Sequence, residues 1–102
     1  MYSKNDKKRI YWLIDQYLKG EINESTFCDE FYYSFTLEIK NDILSDLEII
    51  IFSDLNKITS RFSQYEEDHK LDPRAFSTIK ELRMKIIETK EKLIDCFNDF
   101  NN

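Results

Sequence analysis

Apolar residues recur along this chain at intervals of three and four, the spacing of one helix face. Ile10, Leu13, Ile14, Tyr17 and Leu18 form the first series. With Ser3 as candidate cap and Gly20 as stop, it predicts a helix over 4–19. Trp12 projects roughly opposite this stripe, beside Asp15, Gln16 and Lys19; it either covers a neighbouring element or serves as an exposed anchor for a partner. Asn23 is the candidate cap of a second helix over 24–38, with Phe27, Cys28, Phe31, Tyr32 and Phe35 on one side and Tyr33 and Leu37 off it. A third helix over 42–62 starts at Asn41 or Asp42. Its stripe is Ile43, Leu44, Leu47, Ile50, Ile51, Leu55, Ile58 and Phe62, and Ile49 projects elsewhere. The run from Glu48 to Phe52 has β-propensity, but the flanking periodicity continues through it for about five turns and decides for helix. The periodicity lapses over 63–77, which reads as a long loop. Ser77 or Thr78 then caps a fourth helix over 78–98, with Thr78 and Glu81 in capping-box spacing and Ile79, Leu82, Ile86, Leu93 and Phe97 as its stripe. The pattern predicts an all-α fold, a single-domain antiparallel four-helix bundle.

Composition agrees. One Gly and one Pro leave little material for the repeated tight turns of a sandwich or barrel, and fifteen aromatic residues make a core of few, large pieces. Cys28 and Cys96 fit no zinc or redox spacing and are expected to be reduced, buried thiols. No apolar run reaches the roughly 18 residues of a membrane span, and Met1-Tyr2-Ser3-Lys4 opens no signal segment, so a cytoplasmic location is expected. The net charge of −5 is uneven: residues 1–20 carry +3, residues 21–56 carry −8, and residues 57–102 balance. An acidic middle repels phosphate backbones and attracts basic proteins, so the expected partner is a protein and not a nucleic acid.

Three charged residues fall inside apolar arcs: Asp54 and Arg61 on the third helix and Arg83 on the fourth. Burial of one charge alone is costly, so a structural ion pair of Asp54 with Arg83 or Arg61 is expected. Catalytic chemistry finds no support. His69 is the only histidine and lies in the acidic loop, Glu66-Glu67-Asp68 lacks the alternating oxygen ligands and glycine of a calcium loop, and Gly20 alone makes no phosphate-binding loop. No cofactor or metal is expected.

The segment Leu13 to Phe27, LIDQYLKGEINESTF, resembles the first helix and turn of the colicin D-type and contact-dependent growth inhibition immunity proteins. Phe52-Ser53-Asp54-Leu55, the loop Tyr65-Glu66-Glu67-Asp68 and Glu81-Leu82-Arg83 follow in the order that family uses. The chain departs from the pattern at His69, where the family carries Arg, and at Thr78-Ile79-Lys80, where it carries acids. The resemblance implies a cytosolic helical bundle that binds the C-terminal nuclease domain of a cognate toxin, often one acting on tRNA, as a heterodimer and blocks its substrate site. In that role Asp29, Glu30, Asp42, Asp46 and Glu48 form the expected acidic contact surface, Glu66, Glu67 and Asp68 a second patch, and Tyr33, Tyr65 and Trp12 the anchors. The alternative is a helical adaptor or regulatory module, monomeric or homodimeric, associating through Ile49, Tyr33 or Trp12.

Overall fold

The computed structural model describes residues 2–63, 70–71 and 76–101. The fold is all-α: five α-helices and no strand occur among the described residues, with one isolated β-bridge between Phe62 and Ser77. No helix among these residues is long and apolar enough to cross a membrane.

Helix α1 spans Lys8–Leu18, one turn later than the sequence suggests. Ser3 lies in a preceding turn in which its carbonyl accepts from the Asp6 amide, and it is the Asp6 carboxylate that accepts from the Lys8 amide at 3.0 Å. The stop at Gly20 is a Schellman motif: the Gly20 amide donates to the Tyr17 carbonyl and the Glu21 amide to that of Gln16. Gly20 takes φ of +80°, which a residue with a Cβ adopts only under strain.

Helix α2, Glu24–Phe31, is capped by Asn23, whose side-chain oxygen accepts from the Thr26 amide at 2.8 Å. It widens into a π-helical segment over Tyr32–Glu38, closed by the Ile39 amide donating to the Ser34 carbonyl at 2.8 Å. The wide turn carries Phe27, Phe31, Ser34 and Ile39 inward and leaves Tyr32, Tyr33 and Leu37 exposed. Tyr32, expected with the buried aromatics, is therefore a surface residue.

A 3₁₀ turn over Asn41–Ile43 precedes α3, Asp46–Thr59. Helix α3 begins later than Asn41 or Asp42 because Ser45 and Glu48 form a reciprocal capping box: the Ser45 hydroxyl accepts from the Glu48 amide at 3.1 Å, and the Glu48 carboxylate accepts from the Ser45 amide at 2.8 Å. Its buried face is Glu48, Ile51, Phe52, Leu55 and Thr59. Three members of the expected stripe, Ile43 (43% exposed), Leu47 (54%) and Ile50 (62%), face outward instead. At about 100° per residue, burial of Glu48 and Phe52 turns Leu47 and Ile50 away from the core.

The single fourth helix of the sequence reading is two. Helix α4, Ile79–Lys92, starts at the expected Thr78–Glu81 capping box. Leu93 departs from helical geometry at φ −112°, ψ 23°, and α5 follows over Ile94–Asn101. Leu82, Ile86, Leu93 and Phe97 are buried as expected, whereas Ile79 is exposed. The chain on either side of 64–75 is pinned together, since the Ser77 amide donates to the Arg61 carbonyl at 2.8 Å and its hydroxyl to that of Ile58 at 2.9 Å.

Phe52 is the hub of the core. Its ring meets Tyr11 of α1, Phe31 of α2 and Phe35 of the π segment edge-on, at centroid distances of 5.7, 6.4 and 6.1 Å. Phe31 and Phe35 stack at 5.3 Å, and Tyr11 carries the contact on to Phe97 of α5 at 4.7 Å. Edge-to-face pairs of this kind each add about 0.5–1.5 kcal/mol beyond burial.

The orientation of α3 has a direct test. In denaturant melts, Phe52→Ala is expected to cost about 3–5 kcal/mol, and Ile50→Ala no more than about 0.5 kcal/mol. A larger loss for Ile50→Ala would mean that α3 packs on its other face.

Candidate protein-docking site

Most described acidic groups near the core are already engaged. Asp15, 9% exposed, accepts from Lys90 at 2.8 Å, which ties α1 to α4. Glu30 accepts from Arg9 at 2.7 Å, and Arg9 also donates to the Tyr2 carbonyl and lies 5.6 Å over the Trp12 ring. Trp12 is half-buried against the core, so it covers neighbouring apolar groups under a guanidinium and is not a free anchor.

Glu48 is the most enclosed of these carboxylates, at 3% exposed. Besides the Ser45 amide it accepts from the Tyr11 hydroxyl, in a short bond, and from Lys7 Nζ at 3.1 Å. Burial alone would push its carboxyl up, but these donors outweigh burial and hold it below its ordinary value of 4.5. The same enclosure pushes the Tyr11 hydroxyl far up, first by burial and then by its bond to Glu48. Glu48 therefore belongs to the interior and is not part of an exposed acidic surface, a correction to its expected place there.

The expected ion pair of Asp54 with Arg83 or Arg61 does not form. Asp54, with a side chain 40% exposed, lies 3.5 Å from Lys57 on its own helix. Arg83 sits 5.7 Å over the Tyr17 ring, and Arg61 Nε donates to the Lys57 carbonyl at 3.1 Å. The reason is the turn of α3: with Glu48 inward, Asp54 reaches the edge of the buried face, where water already solvates it.

Asp42 and Asp46 remain exposed and make no ion pair among the described residues. They alternate with Ile43, Leu47 and Ile50 along the 3₁₀ turn and the first turns of α3. On α3, Asp46, Leu47, Ile50 and Asp54 fall within about 100° of one another, so aliphatic groups and carboxylates share one helix face, with Asp42 and Ile43 in the turn just before it. Leu47, Ile50 and Asp54 fall at three- and four-residue spacing on it.

Asp29 is exposed and likewise without an ion pair among these residues, but it lies elsewhere. With Tyr33 it borders a cavity whose other wall includes Thr59 and Ser60 at the carboxyl end of α3. The fourteen residues between Asp46 and Ser60 rise about 21 Å, so Asp29 and Asp46 serve two separate surfaces. Tyr33 is 42% exposed, with Lys4 Nζ 5.1 Å from its ring centroid. Tyr65, Glu66, Glu67 and Asp68, with His69, lie outside the described residues.

Both cysteines are free thiols. Burial pushes Cys28 up to about 12, so it is a protonated, apolar group and not a nucleophile. Cys96 is only half-buried, against the expectation of two buried thiols.

The Glu48 network escaped the sequence reading, although Ser45-Asp46-Leu47-Glu48 carries the capping-box spacing that marks where α3 begins. Comparison with protein-family models, with curated proteins and with solved structures gave no match for this chain.

Because Glu48 has a lowered carboxyl, its contribution to stability is present above the unfolded-state value and is lost as pH falls through the folded one. Acid titration of the melting temperature should show a fall below about pH 4.5 that Glu48→Gln makes shallower. At neutral pH that variant should cost about 1–3 kcal/mol by leaving the Tyr11 hydroxyl and Lys7 poorly satisfied. An unchanged acid limb in Glu48→Gln would show that this carboxylate is not held as described.

Proposed function

We propose that this chain is an immunity protein that binds the nuclease domain of a cognate bacterial toxin one to one and covers its substrate site. The observation that carries the reading is the face formed by Asp42, Ile43, Asp46, Leu47 and Ile50. It combines exposed aliphatic groups with carboxylates that pair with no cation among the described residues. A nuclease cleft holds phosphates with Lys and Arg, and an acidic face of this kind occupies such a cleft by charge complementarity while its aliphatic groups exclude water. The quoted sequence resemblance supports the same partner. The α1, α2, α3 and α4–α5 layers act in this reading as an antiparallel bundle that keeps the face rigid, and the protein works in the cytoplasm.

Self-association through the same face is the less favourable reading. A two-fold contact sets the same patch against itself, which brings Asp42 and Asp46 near their own copies. Like charges at a desolvated interface cost affinity.

Co-expression with the product of the gene directly upstream should give an equimolar complex in which nuclease activity is lost. Asp42→Asn with Asp46→Asn should slow association about tenfold at low salt, and added salt should reduce that difference. Glu91→Gln with Asp95→Asn, exposed acids on α4 and α5, should change it less than about twofold. Equal losses from both pairs would defeat the docking-face reading, and an upstream product that is neither bound nor a nuclease would defeat the immunity reading.

A further inference from the structure

The cavity at the far end of α3 has a volume of about 490 Å³, within the range of sites that take small ligands, roughly 300–1,000 Å³. One wall is the outer side of α2 and the start of the π segment, where Tyr32 and Tyr33 stand half-exposed with ring centroids 5.9 Å apart at 62°. The opposite wall is the end of α3, with Thr59, Ser60 and Phe62, and Asp29 stands among the lining residues.

Several groups of this lining are electron-rich. The hydroxyls of Thr59 and Ser60 spend their protons on the carbonyls of Asn56 and Lys57, at 3.3 and 3.4 Å, so their oxygens are left as acceptors. The carboxyl end of α3 contributes the negative end of the helix dipole. Asp29 supplies a full charge, and no Lys or Arg lines the cavity among the described residues. Tyrosine faces attract cations as well. The molecule holds two internal precedents: Lys4 places its ammonium 5.1 Å from the Tyr33 ring centroid, and Arg61 directs Nε to the Lys57 carbonyl at 3.1 Å.

We propose that this cavity is a receptor for an arginine side chain presented by a partner protein, with the guanidinium stacked on Tyr32 or Tyr33 and bonded to Asp29. Guanidinium is the matching group because it is planar, permanently charged and purely a donor, whereas the lining offers aromatic faces and acceptors. A lysine ammonium has the charge without the planar stacking surface. A phosphate or carboxylate would face the Asp29 charge with no Lys or Arg among the described lining residues to offset it. The inference rests on the reading of this chain as a binder of a basic protein, and it adds a second anchor at the other end of α3 from the Asp42–Ile50 face.

The test uses the intact chain and N-acetyl-arginine N-methylamide as probe, with the neutral citrulline analogue as control, followed by amide NMR shifts. Saturable shifts are expected at Asp29, Tyr32, Tyr33, Thr59 and Ser60, in the millimolar range for so small a ligand. The citrulline analogue should give none. Asp29→Asn, an exposed substitution that should leave the melting temperature unchanged, should weaken binding about tenfold. Equal shifts with citrulline, absence of saturation, or full binding by Asp29→Asn would overturn the proposal. The probe is independent of any nuclease, so loss of arginine binding alongside an intact toxin complex condemns the pocket only, and the converse condemns only the toxin reading.

Discussion

A single buried carboxylate sets where α3 begins and which way it faces. Glu48 accepts from the Ser45 amide, the Tyr11 hydroxyl and Lys7, so it closes the cap of its own helix and ties that helix to α1 with one group. A carboxylate that far inside is tolerable only with its donors in place, and the donors come from both the local turn and a segment 37 residues away. Phe52 follows one turn later on the same side and becomes the ring against which α1, α2 and the π segment pack. Turning α3 to free Glu48 would withdraw Phe52 from three aromatic neighbours at once.

The same constraint creates the surface. With Glu48 and Phe52 inward, Leu47 and Ile50 have no place in the core, and full burial of such side chains would have been worth about 1.5–3 kcal/mol each. The chain forgoes that gain while it encloses a charge. A polar group inside and aliphatic groups outside on one helix break the local rules in the way that the proposed docking role requires. The opposite end of the chain shows the contrary arrangement, where Asp15 and Lys90 pair across 75 residues and close the α1–α4 contact internally.

Several local signals were legible where a bond spans three or four residues at the edge of an apolar stripe, whereas Ser45 with Glu48 was hidden because the stripe already runs on both sides of it. Asn23 capping Thr26, Gly20 ending α1, and Thr78 with Glu81 opening α4 all appear as their spacing predicts. The orientation of α3 was not legible, because residues 43–52 carry seven large apolar side chains and so offer more than one apolar face. Only Tyr11 and Lys7, distant in sequence, choose between those faces. The break at Leu93 has no Gly or Pro to announce it. Among the candidate site residues, Asp42 and Asp46 were legible as exposed acids, while Glu48 and Asp54 were misplaced by the same rotation. Charge type can be read from a sequence, but the side of a helix that carries it depends on packing.

Unpaired carboxylates and exposed aliphatic groups do different work on one face. In the proposed complex, long-range attraction between Asp42, Asp46 and a basic partner would govern how fast the two meet, and salt would weaken it. Ile43, Leu47 and Ile50 would act only after water is expelled, and so would govern how long that complex lasts. Because α3 carries this face at one end and the Tyr32–Tyr33–Asp29 cavity at the other, a rigid helix fixes their separation. The helix between them rises about 21 Å, so a partner engaging both in the proposed way would have to present cationic groups at a separation of that order. That spacing discriminates between basic proteins that net charge alone would treat alike, since a flexible basic segment gains the first contact and loses the second to the entropy of ordering the chain between them.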